Sequence, residues 1–136
     1  MSKVPVFLFS ILLMVSCGKP VKKYEDYDED DFTEVQGIVI KVDRNYSYLK
    51  EDIRNVYYIY NLGKERPDIG YELNCPFLPM EGEPAIILVN RNEKDVTFMA
   101  RSGIIDEEEE VLLQYLEKCD QMGGGYYGLD EQKLNK

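Results

Sequence analysis

A small α+β fold is what the sequence predicts, with an antiparallel, barrel-like sheet of about five strands covered by one C-terminal helix. Three observations carry that expectation. Runs of β-branched and aromatic residues, each of strand length and bounded by Asn, Asp, Gly or Pro, recur between residues 35 and 100. Gly37 interrupts the first run, as a glycine does where a strongly curved sheet turns a corner. A single amphipathic stretch follows the last run, from Asp106 to Cys119.

The first strand is read over residues 35–42, where Val35, Ile38, Val39, Ile40 and Val42 precede the turn-forming Asp43-Arg44-Asn45. Residues 46–54 are too polar for more than a loop or a short helical turn. A second strand spans 55–62 and is closed by Gly63-Lys64. The third, 69–73, runs into Asn74-Cys75-Pro76-Phe77-Leu78-Pro79, whose prolines deny that stretch a central place in a ladder. Residues 85–89 and 95–100 then form a hairpin around a polar loop. Ile86-Ile87-Leu88-Val89 is apolar without alternation, which predicts a strand covered on both faces.

The helix is expected to start at Asp106, with Glu109 completing a capping box and further glutamates in the first turn, where the helix dipole favours negative charge. Leu112, Tyr115, Leu116 and Cys119 recur on one face, flanked by Val111 and Leu113, and that face should lie on the sheet. Beyond it, Gly123-Gly124-Gly125 and the polar end of the chain read as a loose tail.

The chain has 136 residues, room for one domain, and a net charge of −10. It contains no His and no Trp. Without imidazole there is no His-based catalytic triad and no zinc site that needs His. Acidic residues exceed basic ones and no basic stripe offsets them, so a nucleic-acid partner is not expected.

At the N-terminus Lys3 precedes an apolar run over residues 4–15, interrupted by Pro5 and Ser10. The run falls short of the roughly 20 residues a membrane span needs and has the layout of a secretory signal peptide. Met14-Val15-Ser16-Cys17 resembles the lipobox of bacterial lipoproteins, with Met14 where that family usually carries Leu. The resemblance implies that residues 1–16 are removed and that the Cys17 thiol carries diacylglycerol. Several acyl chains would then hold the protein on a membrane of the cell envelope, the outer rather than the inner one. The organisation expected is a signal peptide (1–16), an acidic tether (17–31), a globular α+β domain (32–120) and a flexible tail (121–136). Asp26, Asp28 and Asp30 alternate as the first ligands of a calcium loop do, but Asp31 and Gly37 stand where that loop needs Gly and a bidentate Glu.

With Cys17 lipidated, Cys75 and Cys119 are the one pair left for an intramolecular disulfide, closing a loop of about 45 residues and stabilising by up to roughly 4 kcal/mol. Two buried thiols are the alternative. Eleven tyrosines invite a binding surface, with Tyr57, Tyr60 and Tyr71 as candidates, although Tyr is also an ordinary strand residue. Adjacent Tyr57 and Tyr58 must point to opposite faces, with Tyr60 beside Tyr58. No nucleophile has a base beside it and no Gly-rich phosphate loop is present, so neither catalytic residues nor a cofactor or metal are expected. Carboxylate pairs such as Asp68 with Glu72, or Glu81 with Glu83, are the material for a small hydrolase. The expected function is a lipid-anchored, non-catalytic binding or assembly module meeting an envelope protein or glycan. The alternatives are that hydrolase, or an envelope inhibitor of a hydrolase presenting the loop at residues 75–79.

Overall fold

The computed structural model describes residues 23–46 and 52–129. Cys17, the signal segment and residues 17–22 of the expected tether lie outside the described residues. The elements are β1 (Phe32–Tyr46), β2 (Asp52–Tyr60), β3 (Asp68–Glu72), β4 (Pro84–Asn90), β5 (Thr97–Ser102) and α1 (Glu109–Gln121). The strands form one antiparallel sheet in the order β3-β2-β1-β4-β5, with α1 as its C-terminal helix. Among the described residues no helix is long and apolar enough to cross a membrane.

β1 holds the sheet together because it serves two partners. Its first half pairs with β4, from Phe32 opposite Asn90 to Ile38 opposite Pro84. Its second half pairs with β2, from Gly37 opposite Tyr60 onward. Gly37 sits where the two ladders overlap, and a β-carbon there would lie 2.5 Å from the Ile59 carbonyl oxygen and 2.7 Å from Ile87 Cγ1. Only glycine fits that crossing, which is the close approach expected of it. Register shifts at Val39/Lys41 and Ile86/Ile87 add curvature. The outer strands β3 and β5 therefore approach one another, yet they share no ladder and the barrel does not close. Side chains bridge the seam instead: the Tyr58 and Thr97 hydroxyls lie 2.7 Å apart, and the Met99 N–H donates to Glu72 Oε2 at 3.0 Å.

Alternation along the strands produces two cores. Val39, Val56, Tyr58, Tyr60, Ala85, Ile87 and Met99 fill the enclosed face. Ile38, Ile40, Ile59 and Leu62 face the other way and are covered by Leu112, Tyr115 and Cys119 of α1. Each fully buried aliphatic residue of this kind contributes about 1.5–3 kcal/mol.

Four expectations need correction. Cys75 belongs to the enclosed core and Cys119 to the helix-side core, so the sheet separates them and both are free, buried thiols. The expected bond between them is absent from the structure. The capping box at Asp106 is also absent: residues Asp106–Glu108 make a single 3-10 turn and α1 proper starts at Glu109. The stretch read as tether is docked from residue 24 onward, where Tyr24 and Tyr27 lie edge-on or tilted against Phe32 and Phe98 at 5.4–6.1 Å. Nor is the start of the tail loose. The Tyr115 hydroxyl donates to the Tyr127 carbonyl at 2.9 Å, and Tyr126 and Leu129 pack on the helix-side core.

Candidate functional site

The strand register lines up Lys41, Tyr57 and Tyr71 in one row across β1, β2 and β3. They share the helix-side face, beyond the part that α1 covers. The Tyr57 and Tyr71 rings are 6.0 Å apart at 33°, and Lys41 Nζ stands 5.4 Å from the Tyr57 ring centre. Lys41 also pairs with Asp43 at 3.6 Å. Tyr71 is 60% exposed, so the row presents an open aromatic face with a cation behind it.

The chain leaving β3 carries further exposed apolar groups. Leu73, Phe77, Leu78 and Met80 are all exposed, Met80 at 72%. The loop that carries them is held firmly at both ends. The Cys75 N–H donates to the Arg54 carbonyl at 2.7 Å, the Gly82 N–H to the Val39 carbonyl at 2.6 Å, and the Val42 N–H to Glu81 Oε1 at 3.0 Å. A loop anchored in this way keeps its apolar side chains in water instead of folding them onto the sheet, which marks contact surface more often than accident.

Tyr60 is not part of that surface. It belongs to the enclosed core with Tyr58, at 6% exposure, on the opposite side of the sheet from Tyr57 and Tyr71. Its ring packs against Tyr58 at 6.3 Å. Of the candidate tyrosines, the structure thus brings Tyr57 and Tyr71 together and places Tyr60 elsewhere.

Where Tyr60 reaches solvent there is a cleft of about 600 Å³ between the β2–β3 turn, the β4–β5 hairpin loop and the start of α1. Tyr60, Asn61, Lys64, Asp68, Lys94 and Asp95 line it, with Leu62, Val89 and Val111 as apolar wall and Gln36 and Glu108 alongside. Asn61 holds a left-handed conformation, φ 54°, and its side-chain amide donates to Asp68 Oδ2 at 2.7 Å. Lys64 Nζ reaches the same oxygen at 2.8 Å. Burial first, then the charges of Asp68 and Asp95, push the Tyr60 phenol above its usual range. Sequence reading did not find this cleft, because its walls come from three separate turns.

The seam between β3 and β5 holds the other perturbed groups. Burial pushes the Cys75 thiol up to about 11, so it stays protonated and unreactive near neutral pH. Burial also raises Glu72, against the opposing hydrogen bond from the Met99 N–H. Because the folded chain holds this proton more tightly than the unfolded one, Glu72 adds stability at low pH that is lost as pH rises from 4.5 through its folded pKa. Glu72→Gln keeps an oxygen for Met99 and removes the charge. Thermal unfolding from about pH 4 to 7 should therefore show the variant gaining on the parent as pH rises, and parallel curves would refute the assignment.

Asp68 and Glu72 are not spaced as a glycosidase dyad. They lie four residues apart on one strand, about 13 Å by strand rise, beyond the spacing of either glycosidase class. Glu81 is engaged with the Val42 N–H and Glu83 accepts from the Ser102 hydroxyl at 2.5 Å. Among the described residues no cluster of three or more carboxylates and cysteines could hold a metal ion. No protein-family model, no curated protein and no solved structure matches the chain.

Proposed function

We propose that the chain is a lipid-anchored, non-catalytic binding module of the cell envelope, held by Cys17 and contacting an envelope protein through Tyr57, Tyr71 and the apolar loop after β3. The observation that carries the reading is exposed Tyr71 beside half-buried Tyr57, together with exposed Leu73, Phe77, Leu78 and Met80 on the chain that leaves β3. Aromatic and apolar groups in water on a rigid support suit a protein interface, where Tyr is a frequent anchor. A glycan would use the tyrosines and leave the apolar loop without a role.

Two variants of the full chain, extracted in mild non-ionic detergent, test this. Cys17→Ala should lose acyl mass and leave the membrane fraction. Tyr71→Ala should stay acylated, unfold within a few degrees of the parent, and bind the co-purifying partner at least about tenfold more weakly. An unacylated parent chain would overturn the anchor. Undiminished partner binding by Tyr71→Ala would overturn the surface, and capture by purified cell-wall glycan alone would replace the protein partner with a glycan.

A further inference from the structure

We infer that the cleft at Tyr60 is a binding site for a small zwitterion, an amino acid or a short peptide with free termini, separate from the tyrosine row. Tyr60 is 6% exposed and lines the cleft, and its hydroxyl has no hydrogen-bond partner among the described residues. With the rest of the residue buried and no protein group meeting it, this hydroxyl is free to bond an occupant of the cleft. The cavity, at about 600 Å³, is in the range of small-molecule sites.

The charges select the class. Asp68 is already met by Lys64 and Asn61. Lys94 and Asp95, of opposite sign and adjacent on the hairpin loop, make no ion pair among the described residues and both line the cleft. A phosphate or other dianion would face the carboxylates of Asp68, Asp95 and Glu108, and a simple cation would face Lys64 and Lys94. A zwitterion places its carboxylate at Lys94, its ammonium at Asp95 and the oxygen of the Tyr60 hydroxyl, and an apolar side chain against Val89 and Val111.

The test is titration of the isotope-labelled full chain with alanyl-alanine, followed by amide chemical shifts. Saturable shifts are expected at Asn61, Lys64, Lys94 and Asp95. The N-acetylated and the C-amidated dipeptides should each bind at least about tenfold more weakly, the usual loss of a charge-assisted hydrogen bond. Tyr60→Phe should bind about fivefold more weakly with an unchanged unfolding temperature, since it removes no internal bond. Tyr71→Ala should bind the dipeptide as the parent does, which keeps this outcome distinct from failure of the tyrosine row. No saturable shift up to about 10 mM dipeptide, equal binding of the doubly capped compound, or full affinity in Tyr60→Phe would each overturn the inference.

Discussion

Gln36→Ala is expected to destabilise the fold by about 3 kcal/mol, with roughly 1 kcal/mol for each of the two hydrogen bonds its side-chain amide can donate and the one it accepts. Gln36 is 2% exposed in the middle of β1. Its Nε2 lies within donating distance of the Gly37, Ala85 and Gly103 carbonyls, at 3.1, 3.2 and 3.1 Å. Its Oε1 accepts from the Ile105 N–H at 2.7 Å, and its own N–H donates to Glu108 at 2.7 Å. One amide thus joins β1 and β4 to the link that leads into α1. Alanine keeps the strand and its backbone N–H bond to Glu108, but it removes the side-chain partner of the Ile105 N–H and of the three carbonyls and loosens the link that sets the helix on the sheet. The unfolding temperature should fall by roughly 12–24 °C. Gln36→Glu, which cannot donate from the same position and sets a second carboxylate beside Glu108, should be no better. A loss below about 1 kcal/mol in urea unfolding would show that water replaces the side chain without cost.

The parts of the fold legible in the sequence are those set by local periodicity. The strands follow from their β-branched and apolar runs, and Leu112, Tyr115 and Cys119 of the helix face from the helical repeat, although Leu116 and Leu113 of the expected stripe are exposed. Alternation also puts Tyr58 and Tyr60 on one side and Tyr57 on the other. What was not legible depends on distant partners. β1 extends to Phe32–Tyr46 because β4 and β2 supply ladders for polar residues such as Thr33 and Glu34 that show no strand signal of their own. Asp106 matches a cap by sequence, yet the first turn there is wound as a 3-10 turn, with Glu108 facing the Gln36 N–H. Cys75 continues the parity of Ile69, Tyr71 and Leu73, which points to the helix side. Asn74, with φ 55°, reverses it and sends the thiol into the enclosed core. The same dependence hid the cleft, since nothing local in residues 61–68 announces that residues 94 and 95 will stand beside them.

Gly70→Ala is expected to cost about 3 kcal/mol, the upper part of the range for overpacking a filled core. A β-carbon at Gly70 would run into the Tyr58 ring at Cε2 and would come 2.7 Å from Thr97 Oγ1. Neither neighbour can give way cheaply. Tyr58 is fully buried at 0% exposure and Thr97 is held by its hydroxyl contact with Tyr58. Gly70 lies within β3 and has no positive φ, so the loss would be steric and not conformational. The added methyl must push β3 away from β5, and two bonds fail together: the one between the Tyr58 and Thr97 hydroxyls and the one from Met99 to Glu72. An unfolding temperature lower by roughly 12–24 °C should therefore come with faster hydrogen exchange at the Met99 amide. Tyr58→Leu removes the ring edge that the methyl would strike, so the double variant should be more stable than the sum of the single losses predicts, by at least about 1 kcal/mol. Strict additivity, or an unchanged Met99 amide, would mean that the seam is not held by the packing of Tyr58 on Gly70. A coupled loss would show that side chains bridging β3 and β5 do the work a hydrogen-bonded ladder does in a closed barrel.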